Sequence, residues 1–129
     1  MQWLLIGAGL FIIVSLLLAW LATAARILQI PSIKSRFPAH DNLVKAHIDY
    51  ILMALLLFVF YLLNQPLPGW VIGCMLAGGA LNPFLFIVVA MSKPDDFRPG
   101  RGFMLISMLS FIATTIGFAA AAIIAIANV

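Results

Sequence analysis

Hydrophobic residues along the chain are grouped into four long runs that polar segments separate. The runs cover about residues 3–25, 44–63, 70–91 and 103–127. Each run is close to the length of about 20 apolar residues that an α-helix needs to cross a hydrocarbon core of about 30 Å. The pattern therefore predicts an all-α fold, an integral membrane four-helix bundle, in which residues 1–129 form a single domain.

Composition favours a membrane protein over a soluble one. Hydrophobic residues make up 65% of the chain and charged residues 9%, and the mean hydropathy is +1.19. A soluble domain has to cover itself with polar side chains, whereas helices surrounded by lipid can be apolar on every face. The single cysteine, Cys74, excludes a disulfide framework, and because it lies inside an apolar run we do not expect it to bind a metal.

The polar segments between the runs predict three loops. Residues 26–45 are polar and charged, residues 64–69 form a tight uncharged turn rich in proline, and residues 92–102 are charged again. Inside the third run, Asn82 and Pro83 predict a kink, because a proline removes one hydrogen bond of the helix.

The positive charges predict the orientation in the membrane. All seven cations lie in or beside the first and third loops; they are Arg26, Lys34, Arg36, Lys45, Lys93, Arg98 and Arg101. Cytoplasmic loops are enriched in Lys and Arg, so we expect both loops in the cytoplasm and both termini on the outer side. The membrane is expected to be the cell inner membrane. The net charge of +3 is thus interpreted as a topology signal, with no nucleic-acid partner. The first run lacks a basic leader and a cleavage site, so we expect it to remain as a helix.

Small residues recur every four positions on two of the predicted helices. They are Ala113, Gly117, Ala121 and Ala125 on the fourth, with Ser110 and Thr114 beside them, and Ser15, Ala19 and Thr23 on the first. Helices in lipid associate through small residues that let their backbones approach. The pattern favours contacts within one chain, and the alternative is the interface of a homo-oligomer.

Ionisable residues enter the membrane at the start of the second helix. Asp49 lies four residues after Lys45, a spacing that predicts an ion pair at the membrane boundary. His47 lies on the opposite face, because a step of two residues turns a helix by about 200°. A neutral imidazole at this depth is a candidate axial ligand for a metal or haem, and the alternative is an interfacial histidine without a ligand. His40, in the first loop, is expected to be solvated.

Asn82 is the other polar residue at depth. It lies about 18 Å along the third helix from Trp70, and hence close in depth to His47. We therefore expect His47 and Asn82 to line one cavity, in which the pair Gly78 and Gly79 leaves room for a flat ligand. The alternative is that Asn82 only stabilises the proline kink.

The order of these motifs resembles the styrene oxide isomerase family, small four-helix membrane proteins that bind b-type haem. LQIP at 28–31 is similar to the family's Ile-Ile-Pro, and KAH at 45–47 is similar to its Arg-Ala-His. GGALNPFLF at 78–86 is similar to Asp-Gly-x-x-Asn-x-x-x-Tyr. AHID at 46–49 is also similar to the Ala-His-x-Glu of the related hydroxylaminobenzene mutases, and RPG at 98–100 precedes the fourth helix.

The resemblance implies that His47 is the axial ligand of a b-type haem. The ferric haem would act as a Lewis acid in a non-redox isomerisation of a small apolar substrate, either an epoxide to an aldehyde or an aryl hydroxylamine to an aminophenol. We further expect supporting residues for the haem, its propionates and the substrate. These are Gly78 and Gly79 beside the macrocycle, Lys34, Arg36, Lys45 and Arg101 at the propionates, and Asn82 and Tyr50 as catalytic residues.

The sequence departs from the family pattern at three polar positions. Met53 replaces an active-site Asn, Gly78 replaces an Asp, and Phe86 replaces a Tyr. Isomerase or mutase activity in a homo-oligomer, with a trimer among the options, is the leading expectation, and the alternative is a non-enzymatic haem-binding or structural membrane subunit. A small multidrug transporter is disfavoured, because the first helix lacks a carboxylate.

Overall fold

The computed structural model describes residues 1–93 and 98–129, and in this part it contains helices and no strand. The helices are α1 (Gln2–Arg26), α2 (Pro31–Arg36), α3 (Asp41–Leu63), α4 (Gly69–Ala90) and α5 (Arg101–Ala127). Four of them, α1, α3, α4 and α5, are long and apolar enough to cross a membrane. The predicted all-α four-helix bundle is therefore confirmed.

The short helix α2 lies within the segment that the sequence predicts to be a loop. It begins at Pro31, where the fixed φ of proline suits the first helical position, and none of its residues is buried. The backbone N–H of Ala39, just after α2, donates to the carbonyl of Ala90 at 3.1 Å. The first loop and the end of α4 therefore lie at the same end of the bundle.

The turn between α3 and α4 follows from its sequence. Asn64 adopts the left-handed conformation, with φ 51°, that commonly ends a helix. Pro68 precedes the first residue of α4, and α4 continues through Pro83 without a break. A kink at Pro83 stays a prediction, whereas an interruption of the helix there is excluded.

The long helices pack in series. Helix α1 packs on α3, α3 on α4 and α4 on α5, and α1 also touches α4. The fully buried core includes Leu4, Leu43, Leu57 and Met75. Large apolar side chains also point outward, with Trp20 71% exposed, as expected for helices that lipid surrounds.

Small residues on α5 face α4 within the chain. Gly117 and Ala121 are buried. A Cβ atom added to Gly117 would lie 2.7 Å from the backbone nitrogen of Met75. The prediction of close helix contacts within one chain is confirmed here, and a homo-oligomer stays a prediction.

Candidate functional site

Two hydrogen bonds to Ser15 of α1 hold the imidazole of His47. Its Nδ1 lies 2.8 Å from the carbonyl oxygen of Ser15 and 2.7 Å from the Ser15 hydroxyl oxygen. A carbonyl oxygen only accepts, so Nδ1 carries the proton and donates it. The Ser15 hydroxyl donates its own proton to the His47 carbonyl at 3.1 Å, which leaves its lone pairs free to face Nδ1. The neutral ring therefore has its lone pair on Nε2.

Nε2 of His47 makes no hydrogen bond to residues 1–93 or 98–129, and the side chain is half-buried. His47 lines a cleft of about 490 Å³ between α1 and α3, the His47 cleft. Its other lining residues are Ala19, Ala22, Thr23, Arg26, Ile27 and Val44. The α1 wall is built mostly from small side chains, which is what leaves the space beside the imidazole.

Arg26 supplies the positive charge of the His47 cleft. Its Nε lies 3.6 Å from a carboxylate oxygen of Asp41, and both side chains are exposed, 50% and 78%. An exposed ion pair of this kind contributes little free energy, so the guanidinium remains available to an anion. The cations expected at the propionates were Lys34, Arg36, Lys45 and Arg101, but none of these four lines the cleft. The sequence did not identify Arg26 as a residue of this cleft. Its position one turn after Thr23, on the face that carries Ser15 and Ala19, was the signal that could have found it.

Asp49 lies on the other side of α3, as the helical step predicted. It lines a second cleft of about 350 Å³, the Asp49 cleft, which lies between α3 and α5 over α4. The other lining residues are Asn82, Leu85, Phe86, Val89, Phe103, Ser107 and Phe111. The predicted ion pair with Lys45 is wrong: in the described part of the chain no ion pair joins the two side chains, although they lie four residues apart on α3.

Asn82 connects α4 to α5. Its Oδ1 accepts a hydrogen bond from the Ser110 hydroxyl at 3.0 Å, and its Nδ2 lies 3.4 Å from the Thr114 hydroxyl. The expected cavity shared by His47 and Asn82 is therefore wrong, since they line different clefts. A similar depth along the helices does not bring the two side chains into one cavity, because His47 faces α1 whereas Asn82 faces α5.

The glycine pair leaves no room for a flat ligand, which is a further correction. A Cβ atom at Gly78 would lie 2.6 Å from the backbone nitrogen of Thr114, and one at Gly79 would lie 2.9 Å from the Phe11 ring. The space that the missing side chains leave is filled by α5 and by Phe11. The two glycines thus allow close helix contacts.

Tyr50, expected as a catalytic residue, packs in the bundle core. Its hydroxyl donates to the carbonyl of Ala80 at 2.9 Å, in the turn before Pro83, and its ring packs against Phe11 with centroids 5.5 Å apart. Only 5% of the residue is exposed, and it lines neither the His47 cleft nor the Asp49 cleft. Its hydroxyl therefore satisfies a backbone carbonyl near the proline.

His40 differs from its expected solvated state. Its Nδ1 is buried and has no hydrogen-bond partner in the described part of the chain.

Residues 1–93 and 98–129 contain no group of three or more His, Cys, Asp or Glu side chains that could hold a metal ion.

Ser15 contacts His47 in a way that the sequence did not predict. It was interpreted as one small residue in a packing stripe, whereas its carbonyl and hydroxyl both contact His47.

Comparison of the chain with models of known families, with curated proteins and with solved structures gave no match. An assignment of function therefore depends on the side chains of the two clefts.

Proposed function

We propose that this chain is a haem-binding, multi-pass membrane protein in which Nε2 of His47 is the axial ligand of a b-type haem. The observation that carries the proposal is the hydrogen bond from Nδ1 to the Ser15 carbonyl. Histidines that ligate metals characteristically donate their other ring N–H to a carbonyl or carboxylate, which fixes the tautomer and the ring orientation. Here the bond leaves the lone pair of Nε2 free.

The donor set suits haem better than a bare metal ion. A haem iron has four ligands from its own macrocycle and needs only one from the protein, whereas a structural zinc site needs about four. The His47 cleft offers one imidazole, a mainly apolar wall from Ala19, Ala22 and Val44, and one cation, Arg26. These residues fit a flat apolar group that carries an acidic edge.

Within this proposal each residue has a distinct part. His47 would bind the haem iron, Ser15 would orient the imidazole, and Arg26 would pair with a propionate. A bound ferric haem supplies a Lewis acid, which would serve the non-redox isomerisation that the resemblance to styrene oxide isomerases and hydroxylaminobenzene mutases implies. The substrate would be a small apolar epoxide or aryl hydroxylamine.

A non-enzymatic haem protein or structural subunit is the second candidate. It is favoured by the hydrogen bonds of Asn82 to α5 and of Tyr50 to Ala80, because these bonds occupy the implied catalytic groups away from His47. In either case we propose a protein of the cell inner membrane with the first and third loops in the cytoplasm, assembled as a homo-oligomer such as a trimer.

The absorption spectrum and an activity assay test the two candidates in turn. Protein purified from haem-replete cells should show a Soret band, and a folded colourless protein would leave only the structural role. The coloured protein should convert an aryl epoxide to its aldehyde, or an aryl hydroxylamine to an aminophenol, without added reductant. A coloured protein that converts neither substrate class would be a haem protein without isomerase activity.

A further inference from the structure

The Asp49 cleft is separate from the proposed haem site and has its own chemistry. It lies between α3 and α5, which both pack on α4, so α4 forms its floor. Asp49 is about 12 Å along α3 from Asp41, which puts its carboxylate well inside the membrane-spanning segment. The cleft is otherwise lined by apolar side chains and by Asn82 and Ser107.

The carboxylate of Asp49 has no partner in the described part of the chain. Neither a hydrogen bond nor an ion pair joins it to any residue in 1–93 or 98–129, and the ion pair of Arg26 with Asp41 lies on the α1 side of α3. Ionisable groups inside a membrane are costly and are usually paired. An unpaired carboxylate that faces a cleft of about 350 Å³ therefore indicates a cationic ligand.

The walls of the cleft suit an organic cation. Phe86, Phe103 and Phe111 line it, and aromatic faces attract cations through their quadrupoles. Asn82 accepts one hydrogen bond from Ser110, so its Oδ1 keeps a second lone pair for the N–H of a protonated amine, whereas a quaternary ammonium ion would use only the carboxylate and the aromatic faces. An inorganic divalent cation would find a single carboxylate, whereas an ammonium with an apolar body would meet charge, aromatic faces and apolar walls together.

We propose that the Asp49 cleft binds a small amphiphilic amine or quaternary ammonium ion. The cationic nitrogen lies at the Asp49 carboxylate, and its apolar group packs among the three phenylalanines. The site is independent of haem, because it lies across α3 from His47.

Binding of phenyltrimethylammonium tests this proposal. The protein is placed in nanodiscs of zwitterionic phospholipid, and binding is measured by equilibrium dialysis against protein-free nanodiscs. Asp49→Asn should weaken binding at least tenfold. Asp41→Asn, which removes the same charge from an exposed position on the same helix, should change the affinity less than twofold.

Two further measurements separate the charge from the apolar pocket. tert-Butylbenzene has the shape of the probe without its charge and should not displace it at equal concentration. Phe111→Leu should weaken binding about threefold or more by removing one aromatic face, and since this ring is 66% exposed, the fold should tolerate the change. If Asp49→Asn does not fold, the competition with tert-butylbenzene and the affinity of Phe111→Leu together decide whether the proposal holds.

Four results would overturn the proposal: unchanged binding in Asp49→Asn, equal losses in Asp49→Asn and Asp41→Asn, unchanged binding in Phe111→Leu, or displacement by tert-butylbenzene. His47→Ala should keep its affinity for the ammonium probe whether or not it binds haem. A failure of the haem proposal is therefore distinguishable from a failure of this one.

Discussion

The hydrogen bonds of Ser15 determine how the imidazole of His47 is presented to the His47 cleft. The carbonyl fixes the proton on Nδ1, and the hydroxyl adds a second acceptor while donating to the His47 backbone. Side-chain substitution can remove only the hydroxyl. The backbone carbonyl therefore keeps the tautomer, and the hydroxyl contributes to ring orientation.

We expect Ser15→Ala to retain haem but to bind it about threefold to tenfold more weakly. The variant loses both hydrogen bonds of the hydroxyl, and the one that acts on the imidazole has a net value of about 0.5–1.5 kcal/mol. The bond from Nδ1 to the carbonyl remains. Haem titration of the apoprotein measures the change. Ser110→Ala is the matched control, because Ser110 is also a buried serine but bonds to Asn82 on the far side of the bundle. Equal losses in the two variants would argue against a role for Ser15 in orienting His47.

At the scale of elements, glycines set the distance between α4 and α5. Gly78 and Gly73 lie on the same helix in different surroundings. A Cβ at Gly78 would approach the backbone of Thr114, whereas one at Gly73 would have no atom within 4 Å. The two positions allow a comparison in which the substitution is identical and only the packing differs.

Gly78→Ala should lower the free energy of unfolding in detergent by about 1–3 kcal/mol, because backbone atoms cannot move aside as a flexible side chain can. Gly73→Ala should leave it unchanged or raise it by up to about 1 kcal/mol, the helix propensity difference between the residues. Denaturation followed by circular dichroism compares them. A Gly78→Ala protein as stable as Gly73→Ala would mean that the α4–α5 contact is looser than described.

The sequence predicted the positions of the helices better than the contacts that their side chains make. Long apolar runs defined the spans, and helical geometry correctly separated His47 from Asp49. Periodicity could not reveal α2, which is six residues long and exposed, because it has no buried face. Depth along a helix is readable from residue number, but the neighbour that a side chain meets depends on how the helices pack. For that reason the sequence reasoning associated His47 with Asn82 instead of Ser15.

For the whole molecule, the distribution of cations and the backbone bond from Ala39 to Ala90 agree on which loops share a side. Arg26 and Lys34 lie before α3, and Arg98 lies before α5. The uncharged turn between α3 and α4 is at the opposite end of the helices. The cations further predict that the charged side is the cytoplasmic one.

Cysteine labelling of intact cells should therefore reach Gln65→Cys and not Ser35→Cys. Both variants are made in a Cys74→Ala background, since Cys74 is a half-buried free thiol. An impermeant maleimide reports the outer face, and permeabilised cells give the total reactive thiol. Labelling of position 35 alone would reverse the proposed orientation.

The absorption spectrum of His47→Ala, beside the wild-type protein and His40→Ala, tests the central claim most directly. His40 and His47 are the two histidines of the chain. If Nε2 of His47 is the axial ligand, His47→Ala should lose or grossly shift the Soret band while circular dichroism shows the helices intact. His40→Ala should keep the wild-type band. An unaltered Soret band in His47→Ala, or its loss in His40→Ala alone, would contradict the assignment.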